Sequence, residues 1–208
     1  MSPKLYYTST SCGAANFISA HIAGLTIESE QVDLGQHKTT SGVDFYTINP
    51  KGNVPCIVLD DGTVINENIA TLSWIANQAP GKVTPVAGTS DYYKVLSLLA
   101  HVGTELHQTI GGLFNPTHTD ASKAFTKIQI EKKLTYLEKN VIVDGQFLVN
   151  NTISIADIYL YVVLSWHAFV GVDISGFPKV VAYFEKVKND AQVSAGRDRI
   201  ATNPSTVN

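Results

Sequence analysis

NPKGNVPCIVLDDGTVINEN, residues 49–68, is the stretch whose reading decides the fold. Cys56-Ile57-Val58-Leu59 is a short apolar run, the pattern of a buried strand. Asp60-Asp61-Gly62 follows as a hairpin turn, and Thr63-Val64-Ile65 predicts the returning strand. Asn66 stands where a helix N-cap is expected, with Glu67 and Asn68 in the first turn. Pro55 heads the apolar strand, a position that suits a residue unable to donate to the ladder. If the Val54-Pro55 bond is cis, the valine N–H and C=O turn outward, where an extended peptide can pair as an added strand. The helix start offers N–H groups and a positive dipole end to a carboxylate, while Glu67 can hold an ammonium. Together these describe a site for a small zwitterionic peptide. An edge proline and an ordinary helix cap account for the same residues without a ligand.

Toward the N-terminus, Leu5-Tyr6-Tyr7 predicts a first strand and Thr8 to Ser11 a hydroxyl-rich loop. A helix is expected from Cys12 to about Ala23, with Ala15, Ile18 and Ile22 near one face and Gly24 as its stop. Leu25 to Leu34 alternates as a second strand does. Gly35 to Asp44 is polar and irregular, with a short helical turn before Asn49-Pro50. Beyond Asn68 the helix continues to about Gln78 on the stripe Ile69, Leu72, Ile75 and Ala76. The order is βαβαββα, an α/β domain with parallel crossovers and one antiparallel hairpin.

The stretch after it, APGKVTPVAGTS, is rich in turn residues and predicts a linker. Everything beyond reads as helical. Tyr92, Val95, Leu96, Leu99, Val102 and Leu106 form one stripe, weakened at Gly111-Gly112 and ended at Asn115-Pro116. A second long helix starts near Asp120. Ser154 and Asp157 form a capping box with Ile153 and Ile158 as its staple, opening an apolar helix to about Val170. Pro178 sits near the start of another helix, Gln192 to Ile200 predicts a short last one, and Ala201 to Asn208 reads as a frayed tail. The expected division is an α/β domain at 1–79, a linker at 80–90 and an all-α domain at 91–208.

A chain of 208 residues has room for a sizeable core, and 44% apolar with 16% charged residues suits a soluble globular protein. A net charge of −3 gives no footprint for nucleic acid or an anionic membrane. With no apolar run of about 18 residues and no signal core, a cytoplasmic location is expected. No metal-ligand spacing, HExxH, Walker loop or GxGxxG is present, so no metal site is expected.

Cys12 and Cys56 are far apart and read as reduced. Cys12 lies at a helix start in a polar loop, where the dipole and N–H groups favour a thiolate. A drop of about two pKa units makes a thiol mostly ionised at neutral pH, a stabilisation of about 2.7 kcal/mol. A buried, inert thiol is the other reading. Cys56, inside the apolar run, reads as a small hydrophobe. Tyr7 near the end of the first strand and Ser11 beside Cys12 have packing and capping as their ordinary roles. His107 lies on the edge of the helical stripe, where a histidine also serves as a boundary residue.

NPKGNVPCIVLDDGTVINENIA resembles the glutathione-binding stretch of the cytosolic glutathione transferases. LYYTSTSC at 5–12 and TELHQ at 104–108 resemble the bacterial beta class, which carries a cysteine and a histidine at these places. The resemblance implies a thioredoxin-like N-terminal domain, an all-helical C-terminal domain and a two-fold homodimer. It implies glutathione as co-substrate, held by Val54, Pro55, Glu67 and Asn68, with His37 and Lys38 where the class has a lysine for the glycine end. It implies Cys12 and His107 as the sulfur-site residues, with Tyr7 and Ser11 as competing candidates because other classes of the family use a tyrosine or a serine in this region. The γ-glutamyl anchor is Glu67-Asn68 here, where the family usually has Glu-Ser or Glu-Gly. The activity implied is conjugation of glutathione to a hydrophobic electrophile, with Cys12 able to form a mixed disulfide. A glutathione-dependent thiol transferase or peroxidase, or a non-catalytic binder of glutathione or apolar ligands, is the alternative.

Overall fold

Strand β1 (Lys4–Tyr7) lies parallel to β2 (Glu28–Asp33) and antiparallel to β4 (Cys56–Val58), which pairs in turn with β5 (Val64–Asn66). A two-residue strand β3 (Lys38–Thr39) pairs with β2, giving the order β3-β2-β1-β4-β5. The structure is a computed structural model and describes residues 2–208. Helix α1 (Gly13–Ala23) carries the chain back between β1 and β2, so those strands run parallel. The Asp60-Asp61-Gly62 turn makes β4–β5 a hairpin, held by Leu59 N–H to Thr63 O at 2.9 Å and Thr63 N–H to Asp61 Oδ1 at 2.8 Å. Strand β3 has no alternation to announce it; edge pairing with β2 and the bonds between Thr39 and Val43 hold these polar residues. The turn expected before Asn49 is one 3-10 turn, Phe45–Thr47, capped by Asp44.

The pleat sorts the strands' side chains onto two faces. Leu5, Tyr7 and Ile57 are fully buried on the face that carries α1 and α2 (Asn68–Gln78), with Phe17, Ile18, Leu72 and Ile75. Tyr6, Val32, Val54 and Cys56 cluster with Phe45 on the other face. Burying one such aliphatic or aromatic side chain stabilises the fold by roughly 1.5–3 kcal/mol, so both faces matter.

Glu30 on β2 is nearly buried and accepts from Lys4 Nζ at 2.7 Å and Ser41 N–H at 2.8 Å. Burial pushes its carboxyl up, but the bonds from Lys4 and Ser41 outweigh that and hold it at about 2, against an ordinary 4.5. The folded pKa is depressed, so this stability is present above about pH 4.5 and is lost as pH falls toward 2. Glu30→Gln is expected to cost about 2 kcal/mol at pH 7, a gap that narrows through that window. Urea unfolding at pH 7 and pH 3 checks it. Equal stability of the two proteins at pH 7 would overturn the account.

Two compact units are present. The first holds the residues up to Val86 with Ala191–Asn208; the second is Ala87–Asp190. This differs from the expected division in one respect: α8 (Ala191–Thr202) and the tail belong with the sheet. Gly196 lies so close to α1 that a Cβ there would stand 3.3 Å from Ile18 Cα. The tail is not frayed. Ser29 N–H donates to Ser205 O at 2.9 Å, Val207 N–H donates to Ile27 O at 3.1 Å, and Val207 is fully buried. Backbone bonds hold it, and these leave no trace in the polar string ATNPSTVN.

In the second unit, α3 (Ser90–His101) runs through a π-helical stretch, Val102–His107, into α4 (Gln108–Gly112). Val95, Leu99, Val102, Leu106 and Ile110 are its buried stripe. Helix α5 (Asp120–Tyr136) also ends in π-helical turns, Leu137–Val141. Every residue of α6 (Ile155–Ser165) from Ile155 to Leu164 is buried, as its apolar sequence requires. It stops short of the expected Val170, in a 3-10 turn at Trp166–Ala168. The capping box forms in full. Asp157 accepts from Ser154 N–H at 2.9 Å, Leu148 N–H at 2.8 Å and the hydroxyl of Tyr183, on α7 (Pro178–Lys188), at 2.8 Å. No helix among the described residues is long and apolar enough to cross a membrane.

Candidate glutathione site

At one end of the sheet, the start of α1, the loop before β4 and the start of α2 are tied together by side chains. The Val54-Pro55 bond is cis. The Cys12 thiol donates to Val54 O at 3.6 Å. Asn49, from the quoted loop, donates to Asn53 O at 2.7 Å and accepts from Asn66 at 3.2 Å. Lys51 pairs with Glu67, and Asn16 donates from its amide to Asn68 Oδ1. Gly52 is required here. Its φ is +65°, and a Cβ would fall 2.5 Å from the Tyr46 ring.

The N-cap of α2 is Glu67, not Asn66, which ends β5. Glu67 has φ 74° and ψ 125°, and its side chain makes no capping bond. A non-glycine residue there costs on the order of 1–3 kcal/mol, a strain that concentrates at ligand sites. Its carboxylate is 63% exposed, so the Lys51 pair contributes little to stability. That leaves the carboxylate exchangeable. Asn68 beside it is 8% exposed, and its Nδ2 and the Oδ1 of Asn16 have no hydrogen-bond partner.

Cys12 caps α1, as expected, but its thiol is not the ionised group expected there. It is 6% exposed, and burial pushes it up to about 12. The Glu67 charge adds to the rise, and the N–H groups of Cys12 and Gly13 oppose it without winning. The N–H groups at the helix start favour the thiolate, and desolvation outweighs them. Cys56 is fully buried and burial also pushes it up to about 12.

Other candidates lie elsewhere or serve structure. Tyr7 is fully buried toward α1, 5.2 Å from Phe17 between ring centres, and its hydroxyl donates to Pro204 O at 3.3 Å. Its Cβ packs so close to Gly13 that a Cβ there would stand 2.9 Å away, while its hydroxyl is taken up by the tail. Ser11 donates to Thr8 O at 2.9 Å and accepts from Gly13 N–H at 3.1 Å, the ordinary work of a cap. His37 has φ 50°, lies tilted against the Tyr46 ring at 4.5 Å and places Nδ1 3.1 Å from Gly52 O. Lys38 is exposed on β3.

His107 closes the π-helical stretch of the second unit. Its Nδ1 is hydrogen-bonded to the Tyr159 hydroxyl, and its ring meets Trp166 edge-on at 5.0 Å. Trp166 meets Phe114 in the same way at 5.8 Å. Asn16, Lys51 and Tyr159 were missed by sequence reasoning. Asn16 left a signal, a polar side chain on the apolar face of α1; Tyr159 left none, being 52 residues from His107. Among the described residues no group of three or more His, Cys, Asp or Glu is placed to hold a metal ion.

Residues 15–78 match the family model described as "Glutathione S-transferase, N-terminal domain", and residues 104–195 match "Glutathione S-transferase, C-terminal domain". The chain is 31% identical to glutathione S-transferase GstA of Escherichia coli O157:H7, over 91% of this chain and 94% of that one. Its fold matches a sphingomonad glutathione S-transferase complexed with glutathione, with a TM-score of 0.88 and 36% identity, covering 96% of this chain and 99% of that one. It also matches a bacterial beta class glutathione S-transferase from Sphingomonas chungbukensis, with a TM-score of 0.87 and 34% identity, covering 94% and 97%. With both family models matched in order along one chain, on a mixed sheet followed by a helical unit, the protein belongs to the glutathione S-transferase family.

Proposed function

We propose that this glutathione transferase conjugates glutathione to hydrophobic electrophiles. The N–H and C=O of Val54, beside Pro55, pair with the peptide backbone of glutathione. Glu67 exchanges Lys51 for the γ-glutamyl ammonium, and the first turn of α2 at Asn68 takes the carboxylate. His37 and Lys38 serve the glycine carboxylate. Cys12 acts as a neutral S–H donor to the glutathione sulfur, giving up Val54 O as its acceptor. His107 serves the proton chemistry of that sulfur. The protein works in the cytoplasm, in detoxification, as a two-fold homodimer. The supporting observation is Glu67, held at positive φ with an exposed carboxylate at a helix start next to Val54-Pro55.

The raised Cys12 thiol favours conjugation over thiol exchange, because exchange needs a thiolate. Steady-state turnover of glutathione with an apolar aryl halide tests the reading, with light scattering for the dimer. Saturable conjugation is expected. Glutathione binding without turnover on a panel of such electrophiles would support the non-catalytic binder instead.

A further inference from the structure

His37 is held by three contacts, all within the first unit. Its φ of 50° lies in the left-handed region, which a histidine adopts only with support from its surroundings. Phe45 N–H gives that support, donating to His37 O at 2.8 Å. The imidazole lies against the ring of Tyr46, with centres 4.5 Å apart and 30° between the planes. Its Nδ1 stands 3.1 Å from Gly52 O, in the loop that leads to Val54. A Cβ at Gly52 would fall 3.0 Å from that nitrogen and 2.5 Å from the Tyr46 ring, so glycine is what lets the imidazole approach. A carbonyl oxygen can only accept, so Nδ1 carries a proton whether the ring is neutral or charged. Nε2 is then the atom that titrates. The neutral ring presents a lone pair there, and the charged ring presents an N–H donor with a positive charge. A carboxylate pairs with the second and is repelled by the first.

We propose that His37 is a specificity-determining residue that takes the glycine carboxylate of glutathione at Nε2, and only as the imidazolium. The proposal rests on the reading of the site above, in which His37 stands at the glycine end. The neighbouring charges are already committed. Asp33 accepts from the N–H groups of Gly35 and Gln36 at 2.8 and 3.0 Å, Asp44 accepts from Tyr46 N–H at 3.0 Å, and Lys51 is paired with Glu67. Lys38, the next residue, is exposed, and Tyr46 offers His37 its ring face. The half-buried imidazole therefore has no carboxylate bonded to it among the described residues, and a ligand carboxylate is the group that would stabilise its charged form. The sign follows by linkage. Glutathione binds the charged ring better, so it raises the pH at which the ring loses its second proton. Affinity is full below the titration of the free protein and falls as pH rises through that of the complex.

Nitrogen-15 histidine spectra, with His37 assigned through His37→Gln, read its titration with and without glutathione, and calorimetry reads Kd between about pH 5.5 and 7.5. The neutral ring is expected to carry its proton on Nδ1. Saturating glutathione is expected to move the midpoint of the titration up by about one pH unit. Over the same window the wild type should lose up to about tenfold in affinity relative to His37→Lys, which stays cationic throughout. Glutathione amidated at the glycine carboxyl keeps the shape and loses the charge, so it should bind and leave the midpoint in place. A proton on Nε2 in the neutral wild-type ring overturns the proposal. A midpoint that bound glutathione leaves in place, or that the amide moves equally, overturns it as well. These are wild-type measurements and stand even if His37→Lys does not fold. If glutathione moves the midpoint and the amide does not, while Glu67→Gln binds glutathione unchanged, His37 is upheld and the γ-glutamyl reading is the one that fails.

Discussion

Glu67→Gln is expected to weaken glutathione binding by about 2 kcal/mol, a rise in Kd of roughly thirtyfold. The carboxylate stands at the N-cap of α2 with a backbone conformation that glutamate adopts only under constraint, φ 74° and ψ 125°. Its present partner is Lys51, in an exposed pair that a ligand ammonium can replace. Glutamine keeps the size and the backbone preference of glutamate, so the loss reports the charge and not the strain. Glu67→Gly is the complement: it removes the carboxylate and relieves the positive φ. That variant should bind glutathione as weakly, yet unfold at the same or higher denaturant concentration. Lys51→Ala should change affinity little or improve it, since it removes a competitor for Glu67. Calorimetry measures all three. An unchanged Kd in Glu67→Gln, with the fold intact, would put the γ-glutamyl site somewhere else.

How much of this was legible in the sequence depended on which force set each feature. Local patterns carried the hairpin at Asp60-Asp61-Gly62, the proline-headed strand and the Ser154–Asp157 capping box. In each, the controlling interactions lie within a few residues. Features set by distant partners did not show. The tail at Pro204–Val207 is polar, and it is ordered by bonds to Ile27 and Ser29, far away in the chain. Asn66 had the right residue type for a cap, but β5 extends through it in register with Cys56, and the cap falls on Glu67. The π-helical stretch Val102–His107 interrupts the 3.6-residue repeat, and a lone Gly103 within it does not announce the change. The ionisation of the Cys12 thiol was hidden for an electrostatic reason. Its position at a helix start was right, while the depth of its burial depended on the loop carrying Val54, which lies over forty residues later.

That burial leads to an expected result for Cys12. In the unliganded protein at pH 7 its thiol should exchange with glutathione disulfide at least about thirtyfold more slowly than an ordinary exposed cysteine. A rise from 9.0 to about 12 lowers the ionised fraction about a thousandfold. A more basic thiolate is also a better nucleophile, which returns a factor of roughly fifteen to thirty. The remainder is a slowing of several tens, before the 6% exposure restricts access further. The rate should keep rising about tenfold per pH unit beyond pH 9, where an ordinary thiol has levelled off. Given time, one glutathione should add at Cys12, while Cys56, fully buried in β4, stays unmodified until the protein is unfolded. Cys12→Ala should abolish the adduct yet keep conjugation to within about tenfold, because a neutral thiol contributes one hydrogen bond to the sulfur and no more. Peptide mass mapping across a pH series separates these outcomes. A rate that levels off near about pH 6.5 would show that the helix start governs Cys12 after all. Earlier labelling of Cys56 would show that the sulfur site has been placed on the wrong cysteine.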